Sequence, residues 1–496
     1  MRGSRLAPAA LGALLCLFGC AHYQVNPRLA AADRSAGYRL SNLPASGANT
    51  DSLFVILAFS GGGTRAAALS YGVLEQLAKT QVYWEGQVRS LLSEVDVISS
   101  VSGGSFTAAY YAPYGDKIFK DKDFERRFLK RDIQGRLVRN LFYPWNFLRL
   151  PSPYFDRIDM AAEIYSRDLF DHKTYAELLR KHARPYLILN ATDMTLGARF
   201  EFTQDQFDPI CSDLSGVPIA RAVAASSAFP GLLSPLTLRS YAQTCSYKVP
   251  DWYANALEDR DHNPPRYAEA QTLVAYMDTR NKQFIHLLDG GISDNIGLRA
   301  PIWSLISPDP SWSVLRMHDD GTVKKVVLIT VNARPQARAD WDLKESAPGL
   351  ISTLQTSAET PIDHYSFETV ELLRNNVDLQ LQEEQTFAAC NEILHKNCPS
   401  VQFPVPAPRP FDIHRIQVSF DALPEAHRRF FQSLPTNFNL PAQVVDCLRG
   451  AGATLLVESL DFNALLDEFD QAARAAGVQP PPRAPAPGYP WPCGQK

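Results

Sequence analysis

Leu53-Phe54-Val55-Ile56-Leu57-Ala58-Phe59 is an uninterrupted apolar run, and Ser60-Gly61-Gly62-Gly63-Thr64-Arg65 follows it with no spacer. Seven apolar residues without alternation have the length and pattern of a strand buried on both faces. Thr64 to Lys79 then carries Leu69, Val73 and Leu77 at i, i+4 and i+8, which is one helical face. The theme returns directly: Val95 to Ile98 reads as a short strand, Ser99 to Gly104 as a tight turn of small residues, and Ser105 to Ala112 as a helix. Further strands are expected at 186–189, 284–288, 326–331, 413–420 and 455–457. Strands alternating with helices specify an α/β fold with a mostly parallel central sheet.

The chain around this nucleus has 496 residues, 45% of them hydrophobic and 21% charged, which excludes wholesale disorder and a collagen-like fibre. Its mean hydropathy of -0.18 argues against a multi-span membrane protein. Basic residues number 49 and acidic residues 53, for a net charge of -4, so nothing in the balance favours nucleic acid as a partner.

The N-terminus reads as an address. Arg2 and Arg5 precede a short apolar run, Leu11 to Phe18, too short to span a bilayer. Leu17-Phe18-Gly19-Cys20 resembles a bacterial lipobox, in which Cys20 is acylated and becomes the mature N-terminus. Acyl chains, at about 0.8 kcal/mol per buried CH₂, hold a protein on a membrane without a spanning helix. The expected organisation is a lipoprotein signal at 1–20, a tether at 21–51, and a catalytic domain at 52–475 with insertions near 116–185 and 336–408. A proline-rich tail follows at 476–496. Ala21 after the cysteine points to the outer membrane of a bacterial envelope.

Six cysteines remain beyond Cys16 and Cys20: Cys211, Cys245, Cys390, Cys398, Cys447 and Cys493. Six allow 15 pairings; closeness along the chain suggests Cys211 with Cys245 and Cys390 with Cys398. There is no C-x-x-C spacing and no accompanying histidine cluster, so no zinc site is expected. Residues 116–149 carry ten basic and five acidic residues and run into Leu141-Phe-Tyr-Pro-Trp-Asn-Phe-Leu148. The first reading is a solvated helix whose aromatic residues cover the core; the second is a membrane-surface contact.

Chemistry concentrates at three strand ends. The glycines of Ser60 to Gly63 allow backbone N–H groups to point at an anion, and a helix N-terminus adds positive potential. Read alone, this is equally a glycine turn; it lacks both the G-x-G-x-x-G and the P-loop patterns. Ser100-Val101-Ser102-Gly103-Gly104 matches G-x-S-x-G except at Ser100. That motif exposes one hydroxyl on a sharp strand-to-helix turn, where small neighbours let backbones approach closely. Asp289-Gly290-Gly291 follows the apolar stretch 284–288, which puts a carboxylate at a strand terminus, where α/β sheets keep their sites.

The three together, in this order, resemble the patatin-like phospholipases, a family of lipid acyl hydrolases. The resemblance covers about half of the chain, from Ser52 to Thr330. It extends to Ala222-Val-Ala-Ala-Ser-Ser-Ala-Phe-Pro230 and to Asp289 through Pro301, with Asn295 in the asparagine position. It implies a three-layer fold with helices on both faces of the sheet and a Ser–Asp dyad in place of a triad. Ser102 would be the nucleophile, Asp289 the base, and the N–H groups of Gly61, Gly62 and Gly63 the oxyanion hole. Arg65 matches the family's basic residue after the glycines and would bind substrate.

The expected function is a phospholipase A-like or lysophospholipase-like ester hydrolase working through an acyl-enzyme, without metal or cofactor. Its partners would be a phospholipid or other acyl ester and, through the anchor, a membrane surface. A non-catalytic envelope lipoprotein holding acyl chains in the same cleft is the alternative, separated by activity on a chromogenic ester. A phosphate- or nucleotide-binding module at the glycines is a third. Among the histidines, His286 and His414 read as structural residues.

Overall fold

The computed structural model describes residues 21–45, 47, 49–335, 345, 371–372, 374–375, 378–379, 382–398 and 412–493. The expected signal and acylated Cys20 lie outside these residues, as does most of the expected insertion near 336–408.

The strands are β1 (Leu53–Phe59), β2 (Gln81–Trp84), β3 (Gln87–Ser90), β4 (Val95–Val101), β5 (Tyr186–Asp193), β6 (Arg199–Glu201), β7 (Leu236–Arg239), β8 (Phe284–Asp289), β9 (Lys325–Asn332) and β10 (Ile413–Ser419). The central sheet runs β10-β9-β1-β4-β5-β8-β7, with β6 pairing to β5, while β2 and β3 form a separate hairpin. From β10 to β5 every pairing is parallel; β8 is antiparallel to β5 and β7 to β8. Every residue of β1, β4, β5 and β9 is buried, so both faces of the sheet are covered. The architecture is the expected α/β one.

The stretch 455–457, read as a strand, lies instead in the helix Ala442–Glu458. A short apolar run does not distinguish a strand from a buried helix turn. This helix packs against Gly63–Lys79 with almost no side-chain spacer. A Cβ at Gly72 would lie 1.9 Å from the Arg449 carbonyl oxygen, and one at Gly452 would lie 2.4 Å from that of Leu69.

The segment 21–51 is not a loose tether. Tyr38 is fully buried, and its hydroxyl accepts the Leu187 N–H at 2.8 Å. Buried Arg39 pairs with Asp205 and Asp208, and the Asn26 amide donates to Ser212 Oγ at 2.8 Å and to the Arg239 carbonyl at 2.9 Å. Its polar composition suggested a linker, but those polar groups have specific partners far along the chain. The proline-rich tail is likewise fastened down. Arg483 pairs with Asp467 and Asp470, and Cys493 bonds to Cys447.

Cys211 bonds to Cys245, with Cα atoms 5.5 Å apart. Cys390 and Cys398 do not pair; both are free and exposed. Eight residues apart along a helix that runs to residue 397, their Cα atoms are separated by about 12 Å of rise, beyond the reach of a disulfide.

Residues 115–185 form the β4–β5 crossover and are largely helical. The aromatic stretch within it does not cover the core: Phe142, Tyr143, Trp145 and Phe147 are all exposed. Among the described residues no helix is long and apolar enough to cross a membrane.

Candidate active site

Three chain segments meet at the C-terminal edge of β1, β4 and β5. The first is the glycine loop after β1. The Ser60 N–H donates to the Val331 carbonyl at 3.0 Å, and Ser60 Oγ accepts the Ala333 N–H at 2.9 Å. Gly62 and Gly63 have φ of +134° and +58°, conformations that a side chain disfavours. A Cβ at Gly63 would also lie 2.3 Å from the Asn437 carbonyl oxygen, which accepts the Thr64 N–H at 2.8 Å. The Gly61 N–H is spent on the Asn295 carbonyl at 2.9 Å. The expected three-amide cradle is therefore reduced to Gly62 and Gly63, whose N–H groups have no acceptor among the described residues. They stand at the positive end of the 17-residue helix Gly63–Lys79.

The second segment is the turn from β4 into the helix Ser102–Tyr114. Ser102 has φ of +47° and is 8% exposed. Its N–H donates to Ser226 Oγ at 3.0 Å, and Ser226 in turn bonds Ser105 Oγ at 2.9 Å. Gly103 and Gly104 are required by contact: a Cβ at Gly103 would lie 2.1 Å from the Gly63 carbonyl oxygen, and one at Gly104 would lie 2.7 Å from that of Ser60. Ser100, in place of the motif's first glycine, fits because its hydroxyl is buried as an acceptor for Ser105 Oγ at 3.2 Å.

The third segment is the end of β8. β8 is antiparallel to β5, so Asp289 reaches this edge from the opposite direction to the parallel strands expected from sequence. Register explains the meeting. Val101 pairs with Asn190, which sets Ser102 level with Ala191, and Ala191 pairs with Asp289. Two strand spacings, about 10 Å, separate the backbones, and the side chains narrow the gap: the Ser102 hydroxyl lies close enough to the Asp289 carboxylate to favour its charged form. Asp289 also accepts the Gly291 N–H at 2.8 Å. Its own N–H donates to the Ala228 carbonyl at 3.0 Å, and its carbonyl accepts from Thr192 Oγ1 at 2.8 Å. Burial, opposed by the Gly291 N–H and the Ser102 hydroxyl, pushes its pKa up to about 7.

Asn295 joins the segments. Besides accepting from Gly61, it places Oδ1 only 2.4 Å from where a Cβ of Gly61 would be and 2.9 Å from where one of Gly291 would be. Ser226 lies in the Ala222–Pro230 stretch that the resemblance includes, though no role was expected of it. Asn437 was not singled out in the sequence, because an asparagine in a late loop carries no local signal.

Arg65 departs from expectation. It is fully buried, with Nε donating to the Ala333 carbonyl at 2.9 Å, Nη1 to the Leu434 carbonyl and Nη2 to Thr436 Oγ1 at 3.1 Å. It therefore clamps the loops at 333 and 434–437 around the glycines rather than facing substrate. Arg65→Lys loses the fork that spans these acceptors. We expect it to cost about 2–3 kcal/mol of stability and to lower kcat with KM nearly unchanged, read by thermal melts and steady-state kinetics. A rise in KM alone would return Arg65 to the substrate.

Among the described residues, no histidine takes part in the Ser102–Asp289 contact. His286, on β8 itself, faces out and bonds Thr237 Oγ1 at 3.1 Å. Asp412, His414 and Glu468 are grouped as metal ligands could be, but the Lys325 ammonium already bonds all three. A cavity of about 600 Å³ lined by Arg39, Arg199, Glu201, Asp205 and Trp252 includes neither Ser102 nor Asp289.

No curated protein matches the sequence. Among solved structures, human GIVD cytosolic phospholipase A2 is 13% identical with a TM-score of 0.41, over 86% of this chain and 63% of that one. VipD from Legionella pneumophila is 11% identical with a TM-score of 0.32, over 90% of this chain and 71% of that one. The chain thus spans less than two thirds of the length of the phospholipase A2. The family model for patatin-like phospholipases matches residues 57–302, a span that holds all three segments of the site. Residues 57–302 are thus a patatin-like phospholipase domain.

Proposed function

We propose that the protein hydrolyses acyl esters of lipids, in the manner of a phospholipase A or lysophospholipase, through Ser102 and Asp289. The observation that carries this reading is the register that sets a buried carboxylate beside a serine hydroxyl on a positive-φ turn. Two unengaged glycine amides lie on the loop packed against that turn. A serine hydroxyl needs an adjacent base. At an ordinary carboxylate pKa of about 3.9, Asp289 would be a weak one; raised to about 7, it is matched to neutral pH.

In the proposed cycle Ser102 Oγ attacks the acyl carbonyl carbon and its proton passes to Asp289. The carbonyl oxygen, now negative, is held by the Gly62 and Gly63 N–H groups. As the tetrahedral centre collapses, the ester C–O bond breaks and the alcohol leaves with the proton from Asp289. Water then attacks the acyl-serine, again giving its proton to Asp289, and the fatty acid departs as Ser102 regains its hydrogen. The test is a lipid panel assayed with wild type and the Ser102→Ala variant beside fluorophosphonate labelling. Absence of hydrolysis by wild type across the panel would leave the acyl-binding lipoprotein as the reading.

We further propose an envelope lipoprotein anchored at Cys20, on the strength of the charged start, short apolar run and lipobox-like 17–20. Metabolic labelling with a fatty-acid probe should be lost on Cys20→Ser; unchanged labelling would overturn the anchor.

A further inference from the structure

Four aromatic residues of the β4–β5 crossover stand exposed, and the Arg149 guanidinium lies 6.0 Å from the centre of one of them, Trp145. Phe142 is 75% exposed, Tyr143 62%, Trp145 55% and Phe147 66%, four of six consecutive residues. Contiguous exposed rings on this scale mark a contact site. The rings sit on an ordered base: Asn146 is buried and its amide holds the Asn140 carbonyl at 3.0 Å, and the Arg149 guanidinium lies 3.6 Å from the centre of the Phe155 ring.

The surrounding charge is basic. Between residues 131 and 157 there are five arginines and two aspartates, and although Glu163 and Asp168 pair with Arg149 and Arg136, Arg139 and Arg157 face outward. The Arg139 side chain is 70% exposed and only loosely paired, 3.8 Å from Asp132. Arg157 is exposed and donates to the Gly231 carbonyl at 3.4 Å. Arginines beside exposed tryptophan, tyrosine and phenylalanine match an anionic interface: the cations meet headgroups while the rings enter the boundary with the acyl chains.

The patch is also tied to both lips of the site. The helix Ile133–Leu141, about 13 Å long, ends at the rings and begins at Phe438, whose carbonyl accepts the Ile133 N–H at 3.1 Å. Phe438 follows Asn437, the residue packed on Gly63. On the other side, Arg157 holds Gly231 and the Ile158 N–H holds Ser234 Oγ at 3.2 Å. That loop leads back to Ala228, which accepts the Asp289 N–H.

We propose that Phe142, Tyr143, Trp145 and Phe147, with Arg139 and Arg157, form a docking surface for an anionic phospholipid bilayer and deliver lipid to the adjacent site. The proposal rests on the lipid-hydrolase reading, and its test is separable from it. The full chain carrying Cys20→Ser and Ser102→Ala, unable to be acylated or to hydrolyse, is floated with vesicles of phosphatidylcholine with and without phosphatidylglycerol. Binding should require the anionic lipid and fall about 100-fold when Phe142, Trp145 and Phe147 are replaced by alanine. Brominated lipids should quench fluorescence less in Trp145→Phe than in its parent. With Ser102 restored, the triple variant should lose vesicle hydrolysis in greater proportion than hydrolysis of a water-soluble short-chain ester. Undiminished flotation of the triple variant, equal binding to neutral vesicles, a self-associated dimer lost in the triple variant, or proportional loss on both substrates would each overturn the docking surface. Vesicle binding by a chain with no ester hydrolysis on any substrate would sink the hydrolase and leave the surface standing.

Discussion

Ser102→Ala is expected to lower kcat/KM on any acyl ester by about 10⁴-fold or more and to abolish labelling by a fluorophosphonate. The nucleophile hypothesis puts all covalent chemistry on one oxygen, so its removal leaves only what binding and the glycine amides contribute. The loss is interpretable because the substitution is structurally mild. It keeps the Cβ on the positive-φ turn and keeps the backbone N–H bond to Ser226. The melting temperature should shift little, whereas activity should vanish. The neighbouring hydroxyls offer no substitute, since Ser105 is fully buried between Ser100 and Ser226. Labelling that persists, mapped to another serine by peptide mass, would reassign the site.

Asp289→Asn should cost about 10³-fold or more in kcat/KM, and its effect on pH behaviour separates a base from a mere hydrogen-bond partner. In wild type, activity requires the carboxylate ionised, so kcat/KM should climb with pH and level off above about 7. The residual activity of the variant should lack that rise. Stability carries a sign as well. The folded pKa of about 7 lies above the unfolded value of about 3.9, so the folded state binds the proton more readily. The stability this group contributes is full below the unfolded value and is lost as pH rises through about 7. The amide introduced by Asp289→Asn never ionises, so the variant should gain in melting temperature relative to wild type on going from about pH 5 to about pH 8. A relative loss over that range would mean the carboxylate is stabilised by a partner rather than strained by burial.

Much of this site is legible in the sequence, because its elements are local. A glycine triplet needs no distant partner to permit positive φ, and Ser102-Gly103-Gly104 announces a tight turn through side-chain size alone. The three motifs also stand at strand ends, where the change from an apolar run to small residues is visible. Arg65 was not legible in the same way. A cation after a glycine loop reads as an anion binder until its acceptors are known, and those acceptors, at 333, 434 and 436, lie about 270 and 370 residues away. The cost in the opposite direction fell on Gly61, whose amide is consumed by Asn295. The aromatic stretch 142–147 was first read as a cover for the core. Hydrophobicity specifies that a ring prefers to leave water; it does not specify whether the fold offers it a place.

The buried strands β1, β4, β5, β8, β9 and β10, the turn at Ser102, the glycine loop and the acid–glycine–glycine end of β8 were written in the chain, since each depends on the conformational preferences of adjacent residues. The tertiary structure alone decided what those preferences meet. Antiparallel entry of β8 and a two-strand register bring Asp289 level with Ser102, and burial then raises the carboxylate into the working range of a base. Both effects arise from residues far apart in sequence sharing one dry volume, and desolvation belongs to that volume rather than to any residue within it.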